Sequence, residues 1–127
     1  MRLGYTILYV EDVTRSVDFY QRAFGLEVDF VHESGDFAQM ATGQTALAFT
    51  SRGLMAQLGK TPQAADPHQP CFEIALVCDD VAAALDHAVA AGAQLIQSPK
   101  RMDWGQDVAY VADPDGFWVE ICSPVGG

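Results

Sequence analysis

VADPDGFWVEI, residues 111–121, places a tight turn between two apolar flanks. Pro114 and Gly116 suit a turn over residues 113–116, because proline presets one backbone angle and glycine tolerates the rest. The flanks then read as strands, Asp107 to Ala112 before the turn and Phe117 to Cys122 after it. Strand parity puts Trp118, Glu120 and Cys122 on one face. An acid at the centre of an apolar strand can hold a metal, act as a base, line a pocket or do none of these.

Upstream of this hairpin the pattern extends to a full module. Phe72 to Cys78 reads as a strand, and Asp79 and Asp80 precede a helix from Val81 to Ala91. Val81, Leu85, Ala88 and Val89 form its expected inner face, and Gly92 ends it. Gln94 to Gln97 is expected to be a strand that Pro99 stops, which leaves Lys100 and Arg101 in a loop.

The first half repeats the plan. Leu3 to Val10 is a strand, and a helix over residues 14–24 carries Val13, Val17, Tyr20 and Phe24 at helical spacing. Asp12 or Thr14 caps it, and Gly25 sits at its C-terminal end. Strands follow at Glu27 to Glu33, Phe37 to Ala41 and Thr45 to Ser51. A constant offset lays Tyr5 on Glu73, Val10 on Cys78, Asp12 on Asp80, Val13 on Val81 and Val17 on Leu85. The chain therefore reads as one domain of two repeated βαβββ modules, residues 1–52 and 71–127, joined by a linker over 53–70. Within the linker, Leu54, Met55 and Leu58 are read as tethers of a surface loop or as one amphipathic turn.

Composition narrows the function. The chain has 127 residues, half of them hydrophobic, which is enough for a sizeable core. A net charge of −10 disfavours nucleic acid and anionic membrane surfaces, and fits either plain solubility or a neutral or cationic ligand. No apolar run reaches membrane-spanning length, and the N-terminus lacks a signal-peptide pattern, so the cytoplasm is the expected location. The three cysteines, Cys71, Cys78 and Cys122, show no paired spacing and are read as non-catalytic. His32, His68 and His87 fall at a strand end, in the linker and on a helix, and are read as surface residues.

Three stretches together resemble a known superfamily: TILYVEDVTRSVDFYQRAFGLEV, FEIALVCDDVAAALDHAVAAGAQ and WGQDVAYVADPDGFWVEI. They are similar to the vicinal oxygen chelate proteins, which include glyoxalase I, fosfomycin- and bleomycin-resistance proteins and extradiol dioxygenases. The resemblance implies an α+β fold in which two βαβββ modules form a U-shaped mixed sheet around a pocket. It also implies a homodimer. Metal-dependent members hang the ion from inward-facing strand residues. Those positions fall here on Tyr5, Ala48, Glu73 and Glu120. Only Glu120 matches the usual ligand outright. Ala48 has no donor atom, and a neutral phenol at Tyr5 is a poor one. Glu73 and Glu120 are the residues a weak divalent metal would use.

Parity supplies a candidate pocket face of Tyr5, Ile7 and Tyr9, then Glu73 and Ala75, then Trp118 and Glu120, with Ala48 and Thr50 beside them. Trp104 and Tyr110 are expected to lie near one end of that face and close over a ligand. Such a surface suits a planar ligand with a positive or hydrogen-bonding group. If Glu73 and Glu120 converge, one of them holds a proton near neutral pH, and the pair becomes a candidate acid or base. The leading expectation is a metal-independent, cofactor-free binder of a neutral or cationic aromatic molecule, similar to bleomycin-resistance proteins. The alternative is a glyoxalase-like lyase or isomerase with an atypical divalent-metal site. The residues leave open whether the protein is an enzyme.

Overall fold

The computed structural model describes residues 1–126, which divide into two compact units, Met1–Ala64 and a second beginning at Ala65. The first unit runs β1 (Tyr5–Val10), α1 (Val13–Phe24), β2 (Glu27–Val31), β3 (Phe37–Ala41), β4 (Ala46–Ser51) and α2 (Arg52–Gln57). Its four-stranded sheet has the order β1-β4-β3-β2. β1 and β4 pair in parallel and the remaining neighbours are antiparallel, so the sheet is mixed.

Asp12 caps α1, its carboxylate accepting from the Arg15 amide at 3.1 Å. At the other end Gly25 takes φ 68°, a left-handed conformation that costs other residues energy, and its N–H reaches the Gln21 carbonyl at 3.0 Å. Between these caps Val13, Val17, Tyr20 and Ala23 form the buried stripe, joined by Ser16 and Phe19. That stripe packs on the sheet face of Leu8, Leu47 and Phe49, where the Tyr20 and Phe49 rings stand 5.1 Å apart. Burying one such ring stabilises the unit by about 1.5–3 kcal/mol.

Residues 52–57, for which a tethered surface loop was one expectation, form the short helix α2 with no buried residue. Ser51 explains it, because its Oγ accepts from the Leu54 amide at 3.0 Å and starts the helix.

The second unit runs β5 (Glu73–Val77), α3 (Val81–Ala90), β6 (Gln94–Met102), β7 (Gln106–Ala112) and β8 (Trp118–Cys122). Its sheet order, β5-β8-β7-β6, reproduces that of the first unit, again with one parallel pair, β5 and β8. Both units are βαβββ modules of an α+β fold. Asp80 caps α3 through the Ala83 amide at 3.0 Å, and Val81, Leu85 and Ala88 are its buried stripe. Val89, expected on that inner face, is 40% exposed. It lies about 40° beyond Leu85 around the helix, at the margin of the stripe that Val81, Leu85 and Ala88 form.

A second expectation fails at β6. The strand does not stop at Pro99 but continues to Met102, so Lys100 and Arg101 are strand residues and not loop residues. The reason is positional. β6 is the sheet edge, and the pairing register shifts between Gln97 and Lys100. Pro99 sits in that irregularity, where its missing N–H costs no ladder bond.

An acid pair and its aromatic wall in the second unit

Register assembles the site. Glu120 on β8 pairs with Ala75 on β5 and with Tyr110 on β7. Trp118 pairs with Glu73 on one side and with Ala112 on the other. Paired residues share a face, so Glu73, Ala75, Tyr110, Trp118, Glu120 and Cys122 stand on the side opposite Val119, Ile121, Ala109 and Val111. Those four are buried, and α3 packs against β7 and β8.

The two glutamates converge. The Tyr110 hydroxyl donates to Glu120 Oε1 at 3.0 Å. The register sets Glu73 diagonally across from Glu120 on the neighbouring strand, near enough for the two carboxyls to act on each other. Partial burial raises the Glu73 pKa above its ordinary value, and the charge of Glu120 and the hydrogen bond to it push in the same direction. Burial, then the hydrogen bond to Glu120, hold the Tyr110 phenol up at about 12. The Cys122 thiol is held at about 11, by burial first and by its contact with Glu120 next. Chemically the cluster is a carboxylate that accepts a hydrogen bond from a phenol, with a second carboxyl beside it and a thiol nearby that donates to the Leu76 carbonyl at 3.7 Å.

An aromatic wall adjoins it. The Trp118 and Tyr110 rings lie 5.2 Å apart, and the Trp118 indole donates to the Pro67 carbonyl at 2.8 Å. A cleft of about 220 Å³ opens beside Glu73 and Trp118, with Pro70, Cys71 and Phe72 as its other walls. None of those three was expected to line a pocket, and Cys71 was read only as non-catalytic. Proximity to the N-terminal end of β5 was their only signal.

One expected neighbour is placed elsewhere. Trp104 lies in the turn between β6 and β7, is 57% exposed, and donates to Gln106 Oε1 at 2.7 Å. Four residues of extended strand separate Gln106 from Tyr110, about 13 Å, so Trp104 stands before the start of β7 and Tyr110 well along the strand.

In the first unit the register puts Tyr5 against Ala46, Ile7 against Ala48 and Tyr9 against Thr50. Ala48 thus occupies the position on β4 that Glu120 occupies on β8, and Tyr5 the position of Glu73. Tyr5, Ile7 and Tyr9 are exposed, whereas Ala48 has no exposed surface and Thr50 little. The two β4 residues expected to line the pocket therefore offer a ligand almost nothing to touch.

Comparison with known proteins agrees with this architecture. The profile of the Glyoxalase/Bleomycin resistance protein/Dioxygenase superfamily matches residues 2–121. The uncharacterized protein YraH of Bacillus subtilis is 28% identical over 124 residues, covering 95% of this chain and 97% of its own. A protein named probable lactoylglutathione lyase from Vibrio cholerae is 28% identical over 128 residues, covering 94% and 88%. Among solved structures, a glyoxalase-related enzyme from Fulvimarina pelagi superposes with a TM-score of 0.83 at 24% identity, over 97% of this chain and 88% of that one. A family enzyme from Burkholderia phytofirmans gives 0.81 at 24% identity, over 97% and 98%. These two structural matches establish the fold.

Proposed function

The chain belongs to the glyoxalase/bleomycin resistance protein/dioxygenase superfamily, and on that footing we propose that it binds a small organic cation with an aromatic part, without a metal. The observation that carries this reading is the convergence of Glu73 and Glu120 beside the Trp118 and Tyr110 rings. Two carboxyls that repel each other are relieved when a cation settles between them, and an aromatic face next to them attracts the same cation. The net charge of −10 favours its approach.

The donor set supports binding without a metal. Transition-metal centres take three or four protein donors, commonly imidazole or thiolate. Tyr110 and Cys122, the other polar groups at the glutamates, keep their protons well past neutral pH. Among the described residues no group of three or more His, Cys, Asp or Glu side chains is placed to hold a metal ion. Sequestration by a cytoplasmic homodimer belongs to the same reading, by analogy with the bleomycin-resistance branch. No described helix is long and apolar enough to cross a membrane.

The test is calorimetric titration of the chelator-treated protein with benzylammonium and with neutral benzyl alcohol. Saturable binding of the amine, weaker for the alcohol and weakened at least about tenfold in Glu120→Gln, supports the reading. Equal binding of both compounds, or no effect of the substitution, removes it.

A second reading is a lyase or isomerase of the lactoylglutathione-lyase kind with an atypical divalent-metal site at Glu73 and Glu120. The name of the Vibrio cholerae relative favours it. It requires a metal retained through purification and lost in Glu120→Ala. Metal analysis showing none, with no lyase activity after adding Ni²⁺, Zn²⁺, Mn²⁺ or Fe²⁺, eliminates it.

A further inference from the structure

The segment from Ala65 to Pro70 is a strap drawn across the β7–β8 hairpin, and two contacts fix its height. On one side the Trp118 indole N–H holds the Pro67 carbonyl at 2.8 Å. On the other, the backbone at Gly116 comes so close that an added Cβ would lie 2.9 Å from the Ala65 carbonyl oxygen and 3.0 Å from Pro67 Cδ. The strap is also folded on itself, with the His68 amide bound to Asp66 Oδ1 at 2.9 Å and the Gln69 amide to the Asp66 carbonyl at 3.0 Å. It runs directly into Pro70, Cys71 and Phe72, three of the five walls of the 220 Å³ cleft beside Glu73. The Phe72 ring is anchored in turn against Phe117 at 6.0 Å.

Volume decides what such a cleft can take. Sites for drug-sized ligands span about 300–1,000 Å³. At about 220 Å³, walled by Phe72, Pro70 and Trp118 and bounded by the Glu73 carboxyl, this cleft has room for one ring carrying one charged group.

We propose that this cleft is the ring subsite of the cation-binding face, and that Trp118 and Gly116 set its specificity by fixing the 65–70 strap at a height that admits a single ring and excludes a fused pair. The proposal rests on the cation-binding reading and deepens it. Trp118 has two parts in it. Its ring is a wall of the cleft, and its N–H is the latch on the strap. Gly116 touches no ligand; lacking a Cβ and held at φ 98°, it lets the turn lie this close to the strap.

The test compares benzylammonium with 1-naphthylmethylammonium on the full-length protein and on two variants. Trp118→Phe keeps a ring near Tyr110 but removes the N–H. Gly116→Ala keeps the indole and sets a Cβ against the strap at a left-handed turn position, so it moves the strap from the hairpin without making a wall residue smaller. The wild type is expected to prefer the one-ring amine. In both variants the preference is expected to move toward the two-ring amine by about fivefold or more, and the His68 and Gln69 amides to exchange with solvent about tenfold faster. A merely structural role would lower affinity for both amines together and leave their ratio unchanged.

A Gly116→Ala protein that folds, binds both amines and keeps the wild-type ratio overturns the proposal. If that variant does not fold, Trp118→Phe decides, with unchanged strap exchange as the overturning result. Wild-type protein that binds neither amine overturns the cation-binding reading and this inference with it. Binding of both amines with an unmoved ratio overturns this inference alone.

Discussion

Tyr110 and Glu120 face each other across neighbouring antiparallel strands, and the phenol donates to the carboxylate at 3.0 Å. That bond ties the charge state of the site to the stability of the sheet. The Tyr110 pKa is raised from 10 to about 12 and that of Cys122 from 9 to about 11. For a group whose pKa is raised on folding, the stabilising contribution is complete below the unfolded value and drains away as pH rises through the folded one. The melting temperature should therefore fall between about pH 9 and 12, and the loss should be shallower in Tyr110→Phe and in Cys122→Ser. An equally steep alkaline fall in the double variant would show that other groups dominate.

Glu73 acts with the same sign in a lower pH range. Its pKa is raised above the ordinary 4.5, so its contribution is fully present below that value and is lost as pH climbs through the raised one. Glu73→Gln removes a like charge facing Glu120. Its melting temperature near pH 7–8 is expected to equal or exceed that of the wild type, with a flatter profile above pH 4.5. The same variant should bind benzylammonium less tightly, because the amide carries no charge. In the wild type, amine affinity should rise with pH through the Glu73 titration, and calorimetry in buffers of different ionisation enthalpy should register proton release. Affinity that falls as pH rises would contradict the paired-carboxyl account.

The helix caps offer a test of the repeat. Asp12 and Asp80 hold equivalent places in the two units and make matching bonds of 3.1 and 3.0 Å. Replacing either by alanine should cost about 1 kcal/mol in urea unfolding. Phe49→Ala, in the core beneath Tyr20, should cost about 3–5 kcal/mol. A cap variant as damaging as the core variant would mean that its aspartate does more than start a helix.

Pro99 tests the sheet edge. It lies in a register irregularity on the edge strand β6, beside Lys100 and Arg101. Pro99→Val should leave unfolding free energy within about 0.5 kcal/mol of the wild type. It should also increase light scattering on heating, because a straight, unprotected edge pairs with other chains. Severe destabilisation without added scattering would argue that Pro99 supports the fold itself.

Much of this protein is legible in its letters. Helical spacing in Val13, Val17 and Tyr20, aspartates at both helix starts and glycine at the end of α1 suffice to place the helices, because these are local interactions. Strand parity likewise puts Glu73, Trp118 and Glu120 on one face, since alternation is a property of the extended chain. Pro99 misled for a related reason. Proline reads locally as a stop, and only the neighbouring strand reveals that its missing donor meets a gap in the ladder.

What tertiary structure alone decided is distance and cover. Parity cannot say that Tyr110 reaches Glu120 or that Trp104 stands before the start of β7, because cross-strand register depends on bulges that lie elsewhere in the sequence. Nor can it tell that Ala48 is covered. The strap was least legible of all. Nothing in residues 65–70 signals that a carbonyl at Pro67 will meet an indole at Trp118, because the bond joins segments far apart in the chain and exists only once the hairpin is folded. The sequence by itself determined which side chains face one way. Packing determined which of them touch, and so what the acid pair can hold.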